Sequence, residues 1–393
     1  MDLTINQTFT SNFPKLPKQL IIFSHLRWDF VYQRPQHLAS RLSQLSKLYY
    51  IEEPIFDAHE EIYFESVVKN KVGVMVPHLK PGLSHGFTIE GLTRLFREFI
   101  KEFDMIETAF WYYTPMALEF SANYEPQMVI YDCMDELSAF KFAPENLQIL
   151  EKELLEKADL VLTGGRSLYE AKKEAHNNIH AYPSSIDKEH FLKAREIFES
   201  PSDQVNGIMP KLGFYGVIDE RFDINLISGI AEAKPDWQII LIGPVVKIDP
   251  NTLPNHSNIH YLGPKTYEQL PDYMAGWDIA LIPFFLNEST RFISPTKTPE
   301  YLAAGLPVIS TPIRDVVNPY GINNLVSIGS NADDFIKLAE DILADERADV
   351  DRLSDVDVFL ALNSWDETFE GIKNEMLKVI ERKSQLLATE RYV

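Results

Sequence analysis

The sequence predicts an α/β protein of two doubly wound, Rossmann-like domains facing a central cleft, with a last helix crossing back to the first domain. Three observations carry this expectation. Short apolar runs alternate with amphipathic stretches of helical period, the signature of a parallel sheet covered on both faces. The alternation breaks in a polar, proline-bearing stretch near residue 187 and restarts at residue 211. A chain of 393 residues also suits two domains, at about 100 to 200 residues each.

In the first half, "QLIIFSHL" (19–26) is an apolar run too short for a buried helix, and "RPQHLASRLSQLSK" follows it with helical spacing and Pro35 suited to a first turn. Further strands are read in "KLYYIEE", "VGVMVP", "TAFWYYT", "QMVIYD", "ADLVLTG" and "NIHAYP", with helices near 90–103, 145–157 and 166–176. The N-terminal domain is thus assigned to residues 1–186 and a linker to 187–210. In the second half come "KLGFYGV", a helix over 223–233, "WQIILIG", "NIHYLG", a helix near 266–276, "DIALIPF" and "LVSIG". The second domain spans 211–364, its end read as an acidic linker, and residues 365–393 form the returning amphipathic helix. In open parallel sheets ligands sit outside the carboxyl ends of the strands. Two such sheets face to face make a cleft.

Composition limits the partners. A formal charge of −21 repels nucleic acid and anionic headgroups, so an anionic ligand needs a local cationic cluster. Peripheral membrane association is not indicated by any feature of the sequence. One cysteine, Cys133, excludes an internal disulfide framework and fits a reducing, cytoplasmic setting. The N-terminus lacks an apolar leader core, and no run approaches the roughly 18 apolar residues of a membrane span. Oligomeric state is not legible.

The stretch "NESTRFISPTKTPEYLAAGLPVIST" (287–311) follows "DIALIPF" at a strand's carboxyl end. Pro295 and Pro299 cannot both lie inside one regular helix. The helix is therefore expected to begin at Pro299 with Thr298 as its cap and Gly305 closing it, leaving Ser294, Pro295, Thr296 and Lys297 as an irregular turn. A helix N-terminus carries free amides and partial positive charge, and Lys297 adds a full one. Glu300 can accept two hydroxyl bonds, as acids do from ribose in dinucleotide sites. Lysine for diphosphate and glutamate for ribose describe a nucleotide-sugar site. The plain alternative is a surface pair three residues apart, worth a few tenths of a kcal/mol.

"SPTKTPEYLAAGLPVIST" resembles the nucleotide-binding segment of retaining glycosyltransferases with the two-domain GT-B fold, those grouped with family four and historically called group one. "LGFYGVIDERFD" (212–223) resembles the first strand and loop of their C-terminal domain, and "HLRWDFVYQRPQHLASRL" and "YDCMDELSAFKFAP" resemble N-terminal segments of a bacterial subgroup. The resemblance implies transfer of a sugar from a nucleoside-diphosphate donor to a glycan or lipid-linked acceptor, with retention and no separate cofactor. It places Arg221 on the donor diphosphate and adds Gly216, Asn287 and Tyr301 to the donor side. The family's Glu-x7-Glu pair is met at Glu300, but its first position holds Phe292. Asn287, Ser289 or the amides around Ile293 and Ser294 are then left to meet the sugar hydroxyls.

Breaking the donor bond puts negative charge on the leaving oxygen, and a cationic clamp lowers the barrier where that charge appears. Arg221 and Lys297 are each expected to contribute up to about 4 kcal/mol at 4 Å and an effective dielectric of 20, before desolvation, enough to replace a metal. From the N-terminal domain, Asp132 and Asp135 follow the strand "QMVIY", and either serves the reaction or caps a turn. Asp135 is the catalytic candidate. His25, Arg27, Trp28, Trp111 and Asp132 are acceptor candidates, the indoles by stacking unless they are ordinary packing. Gly164 and Gly165 mark a close approach to ligand or a turn. No dinucleotide, phosphate-loop or His-Glu-x-x-His motif occurs, and the histidines show no metal-ligand spacing. The Asp349/Asp351 and Asp355/Asp357 pairs are read as solvated linker. Two alternatives stand beside transfer: a sugar-nucleotide epimerase on the same architecture, and a catalytically silent sugar-nucleotide or glycan binder.

Overall fold

The computed structural model describes residues 15–197, 199–345 and 348–390. The expectation of no leader segment falls mostly on residues 1–14, outside this range.

The first sheet holds β1 (Gln19–Phe23), β2 (Lys47–Ile51), β3 (Ile55–Phe56), β4 (Tyr63–Lys69), β5 (Val72–Leu79), β6 (Thr108–Tyr112), β7 (Met128–Cys133), β8 (Leu160–Thr163) and β9 (Ile179–Ala181). Its order is β3-β5-β2-β1-β6-β7-β8-β9, with β4 antiparallel on β5 and the other pairs parallel. The second sheet holds β10 (Lys211–Tyr215), β11 (Gln238–Ile242), β12 (Ile259–Gly263), β13 (Ile279–Ile282), β14 (Val308–Ser310) and β15 (Ser327–Ile328), in the parallel order β12-β11-β10-β13-β14-β15. Strand order therefore reverses beside β1 in one sheet and beside β10 in the other. Outside the carboxyl ends at such a reversal, the connections diverge to opposite faces and leave a crevice.

The strands read as continuous apolar runs because both faces are covered. In β8 and β13 every residue is buried. The first sheet carries one core on each face; the second is enclosed by its own. The final helix, Trp365–Glu390, brings Trp365, Phe369, Ile372, Met376, Val379 and Ile380 into the core that contains Leu20 and Ile22 of β1. Their spacing of three and four residues makes one stripe. The chain thus returns to the first domain through this apolar stripe.

Three local readings are corrected. The β4–β5 hairpin was not expected; its turn places Asn70 and Lys71 both at positive φ, 49° and 67°, a conformation usually signalled by Asn-Gly, so Asn-Lys hid it. The acidic stretch after 345 is not a plain linker, since Ala348–Phe359 is helical and Asp357 pairs with Arg195 at 2.9 Å. Residues 187–210 are not a bare connection either: Lys188–Leu192 is helical and Phe191, 0% exposed, sits in the second core. Among the described residues no helix is long and apolar enough to cross a membrane.

Candidate active site

The site grows from the end of β10. Gly216 has φ 136°, and a Cβ there would press into the Lys297 side chain. Gly243, after β11, has φ 141°, and its Cβ would run into the Gly216 carbonyl. Only glycine allows both the conformation and the approach.

Lys297 opens the helix Lys297–Ala303, two residues before the expected start, with Thr296 as N-cap. Pro299 is tolerated because it falls in the first turn, where a missing amide has no helical carbonyl to serve. Thr298 is consequently not the cap; it is buried, and its hydroxyl has no partner among the described residues. Gly305 closes the helix at φ 89°, with its amide on Leu302 O and that of Leu306 on Tyr301 O, as expected of a C-terminal glycine. The Lys297 ammonium lies 5.6 Å from the Phe214 ring and 5.5 Å from that of Phe284. Burial, then the Arg221 charge, hold it below the ordinary lysine range.

Arg221 is carried by the loop after β10. The Asp219 carboxylate accepts from its amide at 3.0 Å, from Nε at 3.0 and 3.1 Å and from Nη2 at 2.7 Å. The Phe285 amide donates to the Arg221 carbonyl at 2.8 Å, tying this loop to the end of β13. From the other domain, Asp135 faces the same cluster. Burial pushes its carboxyl up to about 6, with Arg221 and Lys297 opposing the rise and Asp219 adding to it. Arg221, Lys297 and Asp135 therefore meet across the cleft.

Glu300, 6% exposed, accepts from the Tyr215 hydroxyl, and burial raises its carboxyl. Tyr301 does not face the donor: it is fully buried, and its hydroxyl accepts the Tyr215 amide at 3.0 Å. Asn287 is engaged in its own turn, its side-chain oxygen accepting from Ser289 N and Oγ and from Thr290 N. The Ser294 carbonyl accepts from Ser184 Oγ at 3.1 Å, a bond between the two halves; Pro295 precedes the helix, its carbonyl accepting from Thr298 N at 3.2 Å. Phe292 packs against the core of the first sheet.

Most acceptor candidates are corrected. Trp111, 0% exposed, is core and cannot stack on a sugar. Asp132, also 0% exposed, is bound by Arg34, whose Nε donates to both carboxylate oxygens at 3.0 Å. Trp28 packs edge-on against Tyr50 at 5.1 Å. Arg27 is spent on Glu52 at 3.0 Å and on the carbonyls of Glu53 and Pro54. His25 keeps a buried ring nitrogen, Nδ1, without a partner among the described residues, as Trp111 does its Nε1, and burial lowers the imidazole to about 4 against the opposing Tyr113 backbone. Gly164 and Gly165 serve close approach of protein rather than ligand, to the Met134 backbone and to the Asp315 and Ser294 side chains.

Phe140, Asp219 and Lys247 were not singled out. Phe140, within the quoted "AFKFAP", receives Arg221 at 5.4 Å and Lys247 at 5.5 Å on its ring. Lys247 carries no motif that could have announced it. No group of three metal-ligating acids, histidines or cysteines occurs among the described residues.

The Asp135 shift has a testable sign. Burial holds its folded value above the ordinary aspartate range, so the stability it contributes is complete below about pH 4 and is lost as pH rises through about 6. Melting temperatures between pH 4 and 7 should fall less steeply in Asp135→Asn than in the parent; parallel profiles would remove Asp135 from the buried cluster.

Residues 209–345 match the family model of group 1 glycosyltransferases. TuaH of Bacillus subtilis (strain 168), a protein named for teichuronic acid biosynthesis as a glycosyltransferase, is 27% identical over 256 residues, which is 59% of this chain and 63% of TuaH. The match thus spans less than two thirds of that relative. Sucrose-phosphate synthase from Thermosynechococcus elongatus superposes with a TM-score of 0.69 at 13% identity, over 95% of this chain and all of its own. HepE of Anabaena, solved with UDP and glucose, gives 0.61 at 13%, over 95% and 99%. Residues 209–345 are thus similar to group 1 glycosyltransferases, and the chain as a whole has the GT-B fold of these solved structures.

Proposed function

We propose that the protein is a glycosyltransferase that moves a sugar from a nucleoside-diphosphate donor to a glycan or lipid-linked acceptor in polysaccharide assembly, with retention of anomeric configuration. The observation that carries it is the placement of two cations at the carboxyl edge of the second sheet, Lys297 against Gly216 and the Phe214 and Phe284 rings, and Arg221 on Phe140 of the first domain at 5.4 Å. The bond from the anomeric carbon to the diphosphate oxygen breaks, its electron pair stays on phosphate, and two fixed cations receive that charge. The acceptor hydroxyl attacks from the same face and passes its proton to the departing phosphate, so no protein nucleophile is needed. Tyr215 takes one oxygen of Glu300, leaving the other for a ribose hydroxyl.

Thermal melts with UDP, GDP, ADP, CDP and dTDP in EDTA test the donor half. At least one should stabilise the fold, by about 2.7 kcal/mol at a hundredfold excess over Kd. No stabilisation by any of them, or stabilisation only when divalent metal is restored, would overturn the clamp.

A further inference from the structure

Asp135 follows β7 in the first domain and the Lys297 turn follows β13 in the second, so their spacing depends on how the two domains are held together. Gly164 and Gly165, after β8, pack between the two segments. A Cβ on Gly164 would stand 2.7 Å from the carbonyl oxygen of Met134, the residue before Asp135. A Cβ on Gly165 would overlap the Asp315 carboxylate and stand 3.0 Å from Cβ of Ser294, three residues before Lys297. The first contact is internal to one domain; the second crosses to the other. Gly165 has φ −161°, extended backbone open to any residue, so what calls for glycine there is space alone. Asp315, 6% exposed, closes this seam. It stands in the turn Arg314–Val316 after β14, and its Oδ1 and Oδ2 accept from the Ser167 amide of the first domain at 3.0 and 3.4 Å. Ser184 Oγ, donating to the Ser294 carbonyl at 3.1 Å, adds a second bond across the same seam.

From this seam we infer that Asp315 is a positioning residue for sugar transfer: its carboxylate locks the Gly164–Gly165 segment against Ser294 and so fixes the distance from Asp135 to the Lys297 ammonium. The inference rests on the transferase reading and adds to it a residue outside the donor cluster. Without the carboxylate, the buried Ser167 amide loses its acceptor and the segment has no reason to stay against the second domain. Arg221, Lys297 and Glu300 are all carried by the second domain, whereas Asp135 is carried by the first. Loosening the seam should therefore spare the diphosphate and misplace Asp135. A misplacement of about 1 Å costs on the order of 100-fold in rate.

Hydrolysis of UDP-glucose, UDP-N-acetylglucosamine, ADP-glucose and GDP-mannose by the full chain, with water as acceptor, provides the test. Gly165→Ala and Asp315→Ala should each lower kcat for the hydrolysed donor about 100-fold, while the Kd of its diphosphate, by isothermal titration, stays within about twofold. Asp315→Asn, which keeps one acceptor oxygen for Ser167, should remain within about tenfold of the parent rate. Rates within about threefold of the parent in both Gly165→Ala and Asp315→Ala would overturn the inference. So would a diphosphate Kd that rises in step with the lost rate, since that marks damage to the fold as a whole. Small-angle scattering of diphosphate-bound samples reads the seam without turnover: the radius of gyration should increase in Gly165→Ala and Asp315→Ala and return to the parent value in Asp315→Asn. Equal radii in all four proteins overturn the inference even where no donor is hydrolysed. A parent that binds a diphosphate but cleaves none of the donors counts against the transferase reading alone, and scattering then decides the seam.

Discussion

Replacing Lys297 by alanine should lower the rate of sugar transfer about 100- to 1,000-fold, the usual cost of removing one preorganised donor from a site where charge develops. The same change should leave the melting temperature unchanged or raise it. Burial and the Arg221 charge disfavour the ammonium in the folded chain, so its removal relieves the fold of a buried, repelled cation. Activity and stability should therefore move apart, which simple misfolding cannot imitate. Lys297→Arg should not rescue the rate, since the Lys297 side chain fills the space that a Cβ on Gly216 would occupy and a bulkier guanidinium would have to fit the same gap. Turnover within threefold of the parent in Lys297→Ala, measured with a competent donor and acceptor, would end the clamp reading.

The sheets were legible because buried parallel strands write themselves as short runs of Ile, Leu, Val and Tyr between amphipathic segments; "QIILI" and "IALI" needed no tertiary information. Lys297 and Asp135 were singled out because each follows a strand's carboxyl end, and Arg221 by the resemblance of "LGFYGVIDERFD". Partnership was illegible. Asp132 and Asp135 stand three residues apart on the same strand end, yet the first points into the core toward Arg34, nearly a hundred residues earlier, and the second into the cleft. Trp111 lies within a fully buried strand, and no local pattern separates a stacking indole from a packed one. Lys247 acts by where its loop delivers it, against Phe140 of the other domain, and nothing in its neighbours announces that contact.

Arg34→Leu should destabilise the protein by about 3–5 kcal/mol, the cost of leaving one partner of a buried ion pair uncompensated. The pair is fully enclosed: Arg34 is 2% and Asp132 0% exposed, Nη2 lies 2.9 Å from Oδ1, and Nη1 donates to the Tyr182 carbonyl at 2.7 Å. Without the guanidinium, Asp132 must either hold a charge in the core or take up a proton, and both cost stability. Against the usual 5–15 kcal/mol of a folded domain, that loss is severe. The double variant Arg34→Met, Asp132→Leu should melt above either single one, because no orphaned charge remains. Its acceptor KM then separates the two readings of Asp132. A carboxylate that only ties the first helix, Arg34–Leu42, to β7 can be exchanged together with its partner without changing KM. A raised KM with the melting temperature restored would return Asp132 to the acceptor site, despite its burial.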